Sequence, residues 1–298
     1  MYLQGLNKLL INQLYDSNID TFIINAGIGD FIQFDSLLNQ KIRNNIKTIV
    51  FWNPYDPTNP KADLMETMIK SNKYYSPDVK IIKIKIRTNS FNLNNNKLIS
   101  TEKEIINSHN IDPNKIFNQN KLLNETLILK NFDIIREKSI ENKAKSSYLL
   151  EEISNIKQFN IPEKYCVIVP TTSHDRQFTS NDYYETFSIL ENFLKIKGIL
   201  ISQSNLNIKN DNIINLSGKI GIHDSIEIMK NSQGYIGIDS YLSIIACQVI
   251  KTNKIIIKSN NNLNVLTFFY YMKKNVKTNI FKSINYKDFL TKNAKTYI

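Results

Sequence analysis

The sequence predicts an α/β fold of two Rossmann-like, doubly wound domains facing a cleft, and three observations lead there. In the first half, short apolar runs at Thr21–Asn25, Thr48–Trp52 and Val79–Ile86 alternate with helix-period segments. The second half repeats the alternation more cleanly, from Tyr165 to Ile257. Six of the 8 glycines, namely Gly27, Gly29, Gly218, Gly221, Gly234 and Gly237, stand at or beside strand–helix junctions. In a glycine-poor chain, such positions are where the backbone needs a positive φ or a close approach.

Taken in order, residues 1–18 read as an amphipathic helix with Leu3, Leu6, Leu9, Leu10 and Leu14 on one stripe. The run Thr21–Asn25 stops at Ala26-Gly27-Ile28-Gly29-Asp30, and a helix is expected from Phe31 to about Arg43. After the strand Thr48–Trp52, the proline-rich stretch 53–60 must be irregular. A helix over Ala62–Ser71 and a strand over Val79–Ile86 follow. The Asn-rich text from Arg87 to Glu125 carries no assignable pattern, and 126–158 reads as helical. Ile161-Pro162 then breaks the pattern, which places the domain boundary near 156–162 and gives domains of 1–158 and 159–298. Beyond it are expected a strand at 165–169, a polar loop at Thr171–Ser180, a helix at 181–197, strands at 199–202 and 213–216, and a turn at Gly218. A helix at 224–230, a strand at 235–238, a helix at 241–250, a strand at 254–257, a helix at 263–274 and a Lys-rich tail complete the chain.

Composition bounds the function. With 298 residues, 42% hydrophobic and 10% aromatic, the chain can fill packed cores. The formal charge of +11 is spread over all regions, which favours a solvated surface over a nucleic-acid footprint and leaves an anionic membrane face as an optional partner. Cys166 and Cys247 lie in apolar runs and read as reduced, buried thiols. The three histidines are far apart and offer no zinc spacing. Neither a signal peptide nor a membrane span is evident, so a cytoplasmic, soluble protein is expected, with peripheral membrane contact open.

The stretch Gln233–Ser259 is one strand–turn–helix–strand unit, and its polar turn, Asp239-Ser240, stands at the carboxyl end of a strand. Ligands of open parallel sheets bind at that edge, where helix N-termini present free N–H groups. Ser240 either contacts a phosphate or only caps the helix that Tyr241 begins. Asp30, after Gly27 and Gly29, is either a base or a residue that favours the helix dipole. The third glycine of a dinucleotide fingerprint is missing there, since Phe31-Ile32 follow. In the loop after Val169, Arg176 could pair with a phosphate and Thr171 or Thr172 could bond one.

Four segments together resemble the ADP-heptose:lipopolysaccharide heptosyltransferases, glycosyltransferase family 9, of the GT-B type: FIINAGIGDFIQF (22–34), CVIVPTTSHDRQFTSNDYYETF (166–187), NIINLSGKIGIHDSIEIMKNSQGYIGIDS (212–240) and SYLSIIACQVIKTNKIIIKS (240–259). The resemblance covers 161–259 well and 21–52 thinly. It implies a hexosyl- or heptosyltransferase moving a sugar from a nucleotide-sugar to a glycan or lipid-linked saccharide, inverting and metal-independent, with no cofactor. The acceptor would lie on the first domain, beside Gly27 and Gly29, with Asp30 as the catalytic base. The donor would lie on the second, with Thr171, Thr172, Arg176, Gly218, Asp239, Ser240 and Tyr241 around it. Tyr241 stands where the family has glycine, Ile244 where it has histidine, and Arg176 and Phe178 where it has lysine and tryptophan. A catalytically inactive scaffold of the same fold, a transferase acting on DNA and a pyruvyl-type transferase are the competing readings.

Overall fold

The computed structural model describes residues 18–24, 28–35, 38, 40–52, 60–72, 75–84, 95–118, 156–172, 177–238, 240–250, 255–258 and 278–281. The chain divides into two compact units, Met1–Glu151 and Glu152–Ile298. The expected helix at 263–274 lies outside the described residues, as do the one at 1–18 except for Asn18, the one at 126–158 except for its last three residues, which form a 3₁₀ turn, and the irregular stretch 53–60 except for Pro60, which opens a helix.

The first unit holds strands β1 (Thr21–Ile24), β2 (Thr48–Trp52), β3 (Lys80–Ile84) and β4 (Ile116–Asn118). All pair in parallel, in the order β3-β2-β1-β4. The inner strand β1 is buried at all four positions, as a strand covered on both faces must be, whereas β3 at the edge is half polar. Lys83 of β3 pairs with Asp63 at 2.7 Å and Glu66 at 2.6 Å, so the open edge carries charge rather than apolar surface. Phe22 and Phe117 are partners in register across β1 and β4 and meet edge to face at 6.3 Å.

The single helix expected from Phe31 to Arg43 is two: α1 (Ile28–Asp35) and α2 (Gln40–Asn45). Asp35 is the cause of the break. Its carbonyl accepts from Leu38 N–H, and its buried carboxylate takes Arg43 Nε at 3.2 Å and the Tyr75 hydroxyl. Asp35, Arg43 and Tyr75 are all buried, so the Asp35 carboxylate needs these donors close by, and a continuous helix would carry Arg43 about two turns away from it. The sequence reading also missed two elements between 87 and 125: helix α4 (Asn95–Ser108), which follows α3 (Pro60–Lys70), and strand β4. Helix α4 ends where Asn110 adopts φ 53° and Ile111 N–H returns to the Ile106 carbonyl, a left-handed C-terminal stop.

The second unit holds β5 (Tyr165–Val169), β6 (Lys197–Leu200), β7 (Ile213–Asn215), β8 (Gly234–Ile238), β9 (Ile255–Lys258) and β10 (Thr278–Phe281), again all parallel. Their order is β10-β9-β8-β5-β6-β7. Strand β10 falls in what the sequence suggested was only a Lys-rich tail. Helices α5 (Ser180–Ser188), α6 (Ile222–Asn231) and α7 (Tyr241–Val249) connect the strands. Helix α5 opens on a full capping box, Thr179 with Asp182, and continues into a wider i→i+5 turn over Ile189–Leu194, closed by Lys195 at φ 52°. One face of the sheet is filled by Cys166, Ile168, Ile236, Ile238 and Ile256 against Phe178, Ile189 and Leu190. Cys166 is buried and in no disulfide, as expected. Among the described residues no helix is long and apolar enough to cross a membrane.

Candidate functional site

Strand order decides where a ligand can sit. In the second unit the chain starts at β5, builds outward through β6 and β7, then returns to the other side of β5 with β8, β9 and β10. The direction reverses between β5 and β8, and in open parallel sheets the carboxyl edge at such a reversal point is where ligands bind. The residues at that edge are Val169–Thr172 after β5 and Ser240 after β8. The first unit follows the same rule on a smaller scale: its reversal lies between β1 and β4, and the first turn of α1 stands beside it.

Ser240 is the N-cap of α7, with extended backbone at φ −154°. Its N–H donates to Ser243 Oγ at 3.0 Å, and the Ser243 hydroxyl donates to the Ser240 carbonyl at 2.6 Å. The cap is thus held by the buried Ser243. Ser240 Oγ and the Ser243 N–H stand in capping-box positions, but that N–H donates to the Ser240 carbonyl at 3.1 Å, and the buried Ser240 hydroxyl makes no hydrogen bond to the described residues. A buried capping-box serine whose hydroxyl makes no hydrogen bond, at the reversal point of the sheet, is a polar group with bonding capacity unused. Tyr241 follows as the first residue of α7, half-buried, and burial pushes its phenol up to about 12. Ile244, where the resemblance would place histidine, is buried inside the helix's packed face.

Strand β8 reaches this edge in an unusual way. Tyr235 is fully buried and lies along its own strand over Gly237, its hydroxyl donating to the Ile238 carbonyl at 3.4 Å. A Cβ at Gly237 would come within 2.5 Å of that hydroxyl oxygen and 2.7 Å of the ring, so only glycine leaves the space.

Thr171 and Gly218, singled out separately from the sequence, meet through a residue the sequence reading passed over, Ser202, two residues beyond β6. Thr171 Oγ1 and Ser202 Oγ are 2.7 Å apart, Ser204 N–H donates to Ser202 Oγ at 3.2 Å, and Gly218 N–H donates to the Ser202 carbonyl at 2.8 Å. Gly218 has φ +69°, and a Cβ there would stand 3.0 Å from the Asn205 backbone nitrogen. The carboxyl ends of β5, β6 and β7 are thereby laced together. Gln177 pairs with Thr171 and Phe178 N–H returns to the Pro170 carbonyl at 2.8 Å, so the loop that carries Arg176 leaves and rejoins the sheet at one point. Phe178 itself is buried against the Tyr183 ring, 5.5 Å between centroids. Thr172 is half-buried beside this group.

A second residue escaped the sequence reading because it ends an apolar run: Lys258, the last residue of β9, is buried and pairs with Asp182 of α5. Asp182 Oδ2 also accepts Thr179 N–H and its hydroxyl, each at 2.7 Å. Burial alone would raise the Asp182 carboxyl; the Lys258 ammonium and the two Thr179 donors outweigh it and hold the group below its ordinary value.

Of the remaining expected site residues, Gly27, Arg176 and Asp239 lie outside the described residues. Gly29 and Asp30 are not in the loop where the sequence placed them. They are the second and third residues of α1, which begins at Ile28 rather than Phe31. Asp30 therefore stands in a helical first turn, where a carboxylate is favoured by the positive end of the dipole. Among the described residues no three His, Cys, Asp or Glu side chains gather as a metal site.

No family model and no curated protein matches the chain. Solved structures do. The chain is similar to the E. coli heptosyltransferase WaaC with ADP, 12% identical over 92% of this chain and 99% of that one, at a TM-score of 0.53. It is also similar to E. coli ADP-heptose lps heptosyltransferase II, 11% identical over 88% and 90% of the two chains, at 0.50. The α/β fold that the motifs implied is thus the fold of GT-B heptosyltransferases.

Proposed function

We propose that the chain is a glycosyltransferase that moves a sugar from a nucleotide-sugar to a glycan or lipid-linked saccharide, with inversion and without a metal. The observation that carries this reading is the unused Ser240 hydroxyl at the N-terminus of α7, at the reversal point of an all-parallel sheet. A diphosphate oxygen is the natural partner for a free hydroxyl beside free helical N–H groups. Asp239, Thr171, Thr172 and Gly218 belong to the same donor edge, and Arg176 supplies positive charge as the diphosphate leaves. In the first unit Asp30 takes the proton of the acceptor hydroxyl as that oxygen attacks the anomeric carbon and the bond to the diphosphate breaks. Tyr241, in place of glycine, narrows the approach to the helix and selects among donors.

Thermal unfolding in the presence of ADP, GDP, UDP, CMP and dTDP and their sugar conjugates tests the donor half. ADP comes first, because the WaaC structure to which the chain is similar holds it. A ligand at a hundredfold over its Kd should stabilise by about 2.7 kcal/mol, a plain shift in midpoint. If none shifts, Tyr241 closes the site and the chain is a non-catalytic scaffold of the same fold. The chemical half is tested by Asp30→Ala, which should abolish transfer and leave folding and nucleotide binding unchanged; normal turnover would remove Asp30 from the mechanism.

A further inference from the structure

We propose that Lys258 is a contact for the donor's diphosphate, and that its bond to Asp182 is the arrangement it holds while no anion is bound. This rests on the reading of the β5–β8 edge as a diphosphate site, and extends that site by one strand.

Three observations support it. Lys258 stands opposite Ile238 in the β8–β9 register, so it is level with the last residue of β8 and one strand away from the turn that Ser240 completes. Its ammonium has three N–H donors, of which one goes to Asp182; the other two have no partner among the described residues. On Asp182, by contrast, Oδ2 is fully engaged, taking Lys258 and both Thr179 donors. The lysine side chain also keeps 10% of its exposure against 2% for the carboxylate, so the cation is the member of the pair that solvent and solutes reach.

Ser240 and Lys258 thus place unused donor capacity on neighbouring strand ends. Donors of that kind call for acceptors, and a group with several anionic oxygens is the chemistry that would satisfy both. A diphosphate arriving at α7 finds a cation already desolvated and aligned, and Asp182, held in the α5 cap, prevents the lysine from swinging into solvent. The carboxylate weakens anion binding by its own charge, and this gives the two residues opposite effects on affinity.

The test is isothermal titration of the intact protein with inorganic pyrophosphate and with ADP, GDP and UDP, comparing wild type with Lys258→Met, Lys258→Arg and Asp182→Asn. Lys258→Met should weaken pyrophosphate and whichever nucleotide binds by about tenfold or more, the loss of one charge-assisted bond. Lys258→Arg should retain most of the affinity. Asp182→Asn should tighten binding several-fold, because the asparagine carbonyl still caps α5 while the opposing charge is gone. Unchanged affinity in Lys258→Met overturns the proposal. So does equal weakening in Lys258→Met and Asp182→Asn with no recovery in Lys258→Arg, the pattern of a brace. If the wild type binds neither pyrophosphate nor any nucleotide, the diphosphate reading of the whole edge fails instead.

Discussion

Removing the Ser240 hydroxyl should make the ligand-free protein more stable, the reverse of what a helix-capping serine normally shows. Ser→Ala at an N-cap ordinarily costs about 1 kcal/mol, because a helical N–H loses its acceptor. Here the hydroxyl stands in the capping-box position but the Ser243 N–H it faces donates to the Ser240 carbonyl, so no well-formed cap bond is lost, and the bonds that hold the turn, Ser240 N–H to Ser243 Oγ and Ser243 Oγ–H to the Ser240 carbonyl, survive in Ser240→Ala. What disappears is a buried hydroxyl without a partner, whose desolvation costs about 1–3 kcal/mol. Taking the low end, the second unit should gain about 1 kcal/mol, or an unfolding midpoint higher by about 2–4 °C by scanning calorimetry. Nucleotide affinity should move the other way. A hydrogen bond to a charged acceptor is worth about 1.5–3 kcal/mol, so the diphosphate should bind about tenfold more weakly, or worse. A midpoint that falls by several degrees would show that Ser240 caps α7 after all and refute the reasoning. So would a nucleotide that binds the variant as well as the wild type.

Gly237→Ala should destabilise the second unit by about 1–3 kcal/mol in urea titrations, since the new methyl group must displace a Tyr235 ring that is wholly buried; an unchanged midpoint would mean the ring has somewhere to go. The Asp182 carboxyl is held below its usual value, so its contribution to stability is complete above about pH 4 and is lost as pH falls through the depressed value. Acid titrations should therefore show a steeper loss below pH 4 for wild type than for Asp182→Asn; parallel curves would count against the ion pair.

The parts legible in the sequence were those where one local pattern dominates. Thr48–Trp52 and Tyr165–Val169 are unbroken apolar runs between polar breaks, and they are strands with those bounds. The errors arose where partners distant in the chain decide. The break between α1 and α2 depends on Tyr75, forty residues beyond Asp35, and no window around Asp35 contains it. Strand β10 is four residues long and exists because β9 offers an edge. At the site, Ser240 was visible from its place in the strand–turn–helix unit. Lys258 was not, because a lysine after Ile255-Ile256-Ile257 in a lysine-rich chain reads as the surface charge that ends a strand. Ser202 had no signal beyond its place at the end of an apolar run. That Ser240 leaves its hydroxyl unused could be known only once Ser243 was seen to do the capping.

Both sheets begin with a strand that ends up in the interior, and this sets an order of assembly. β1 is the first of the described strands to be made, yet one of its two sides stays open until β4 emerges, on the order of a hundred residues later, and β5 waits in the same way for β8. During synthesis each unit therefore passes through a stage in which a fully apolar strand has an unpaired flank. An apolar flank of that kind can pair with another chain as readily as with its own. Overproduction should therefore yield inclusion bodies before it yields a misfolded monomer, and slowing elongation or lowering the growth temperature should recover more protein than any change to the finished surface.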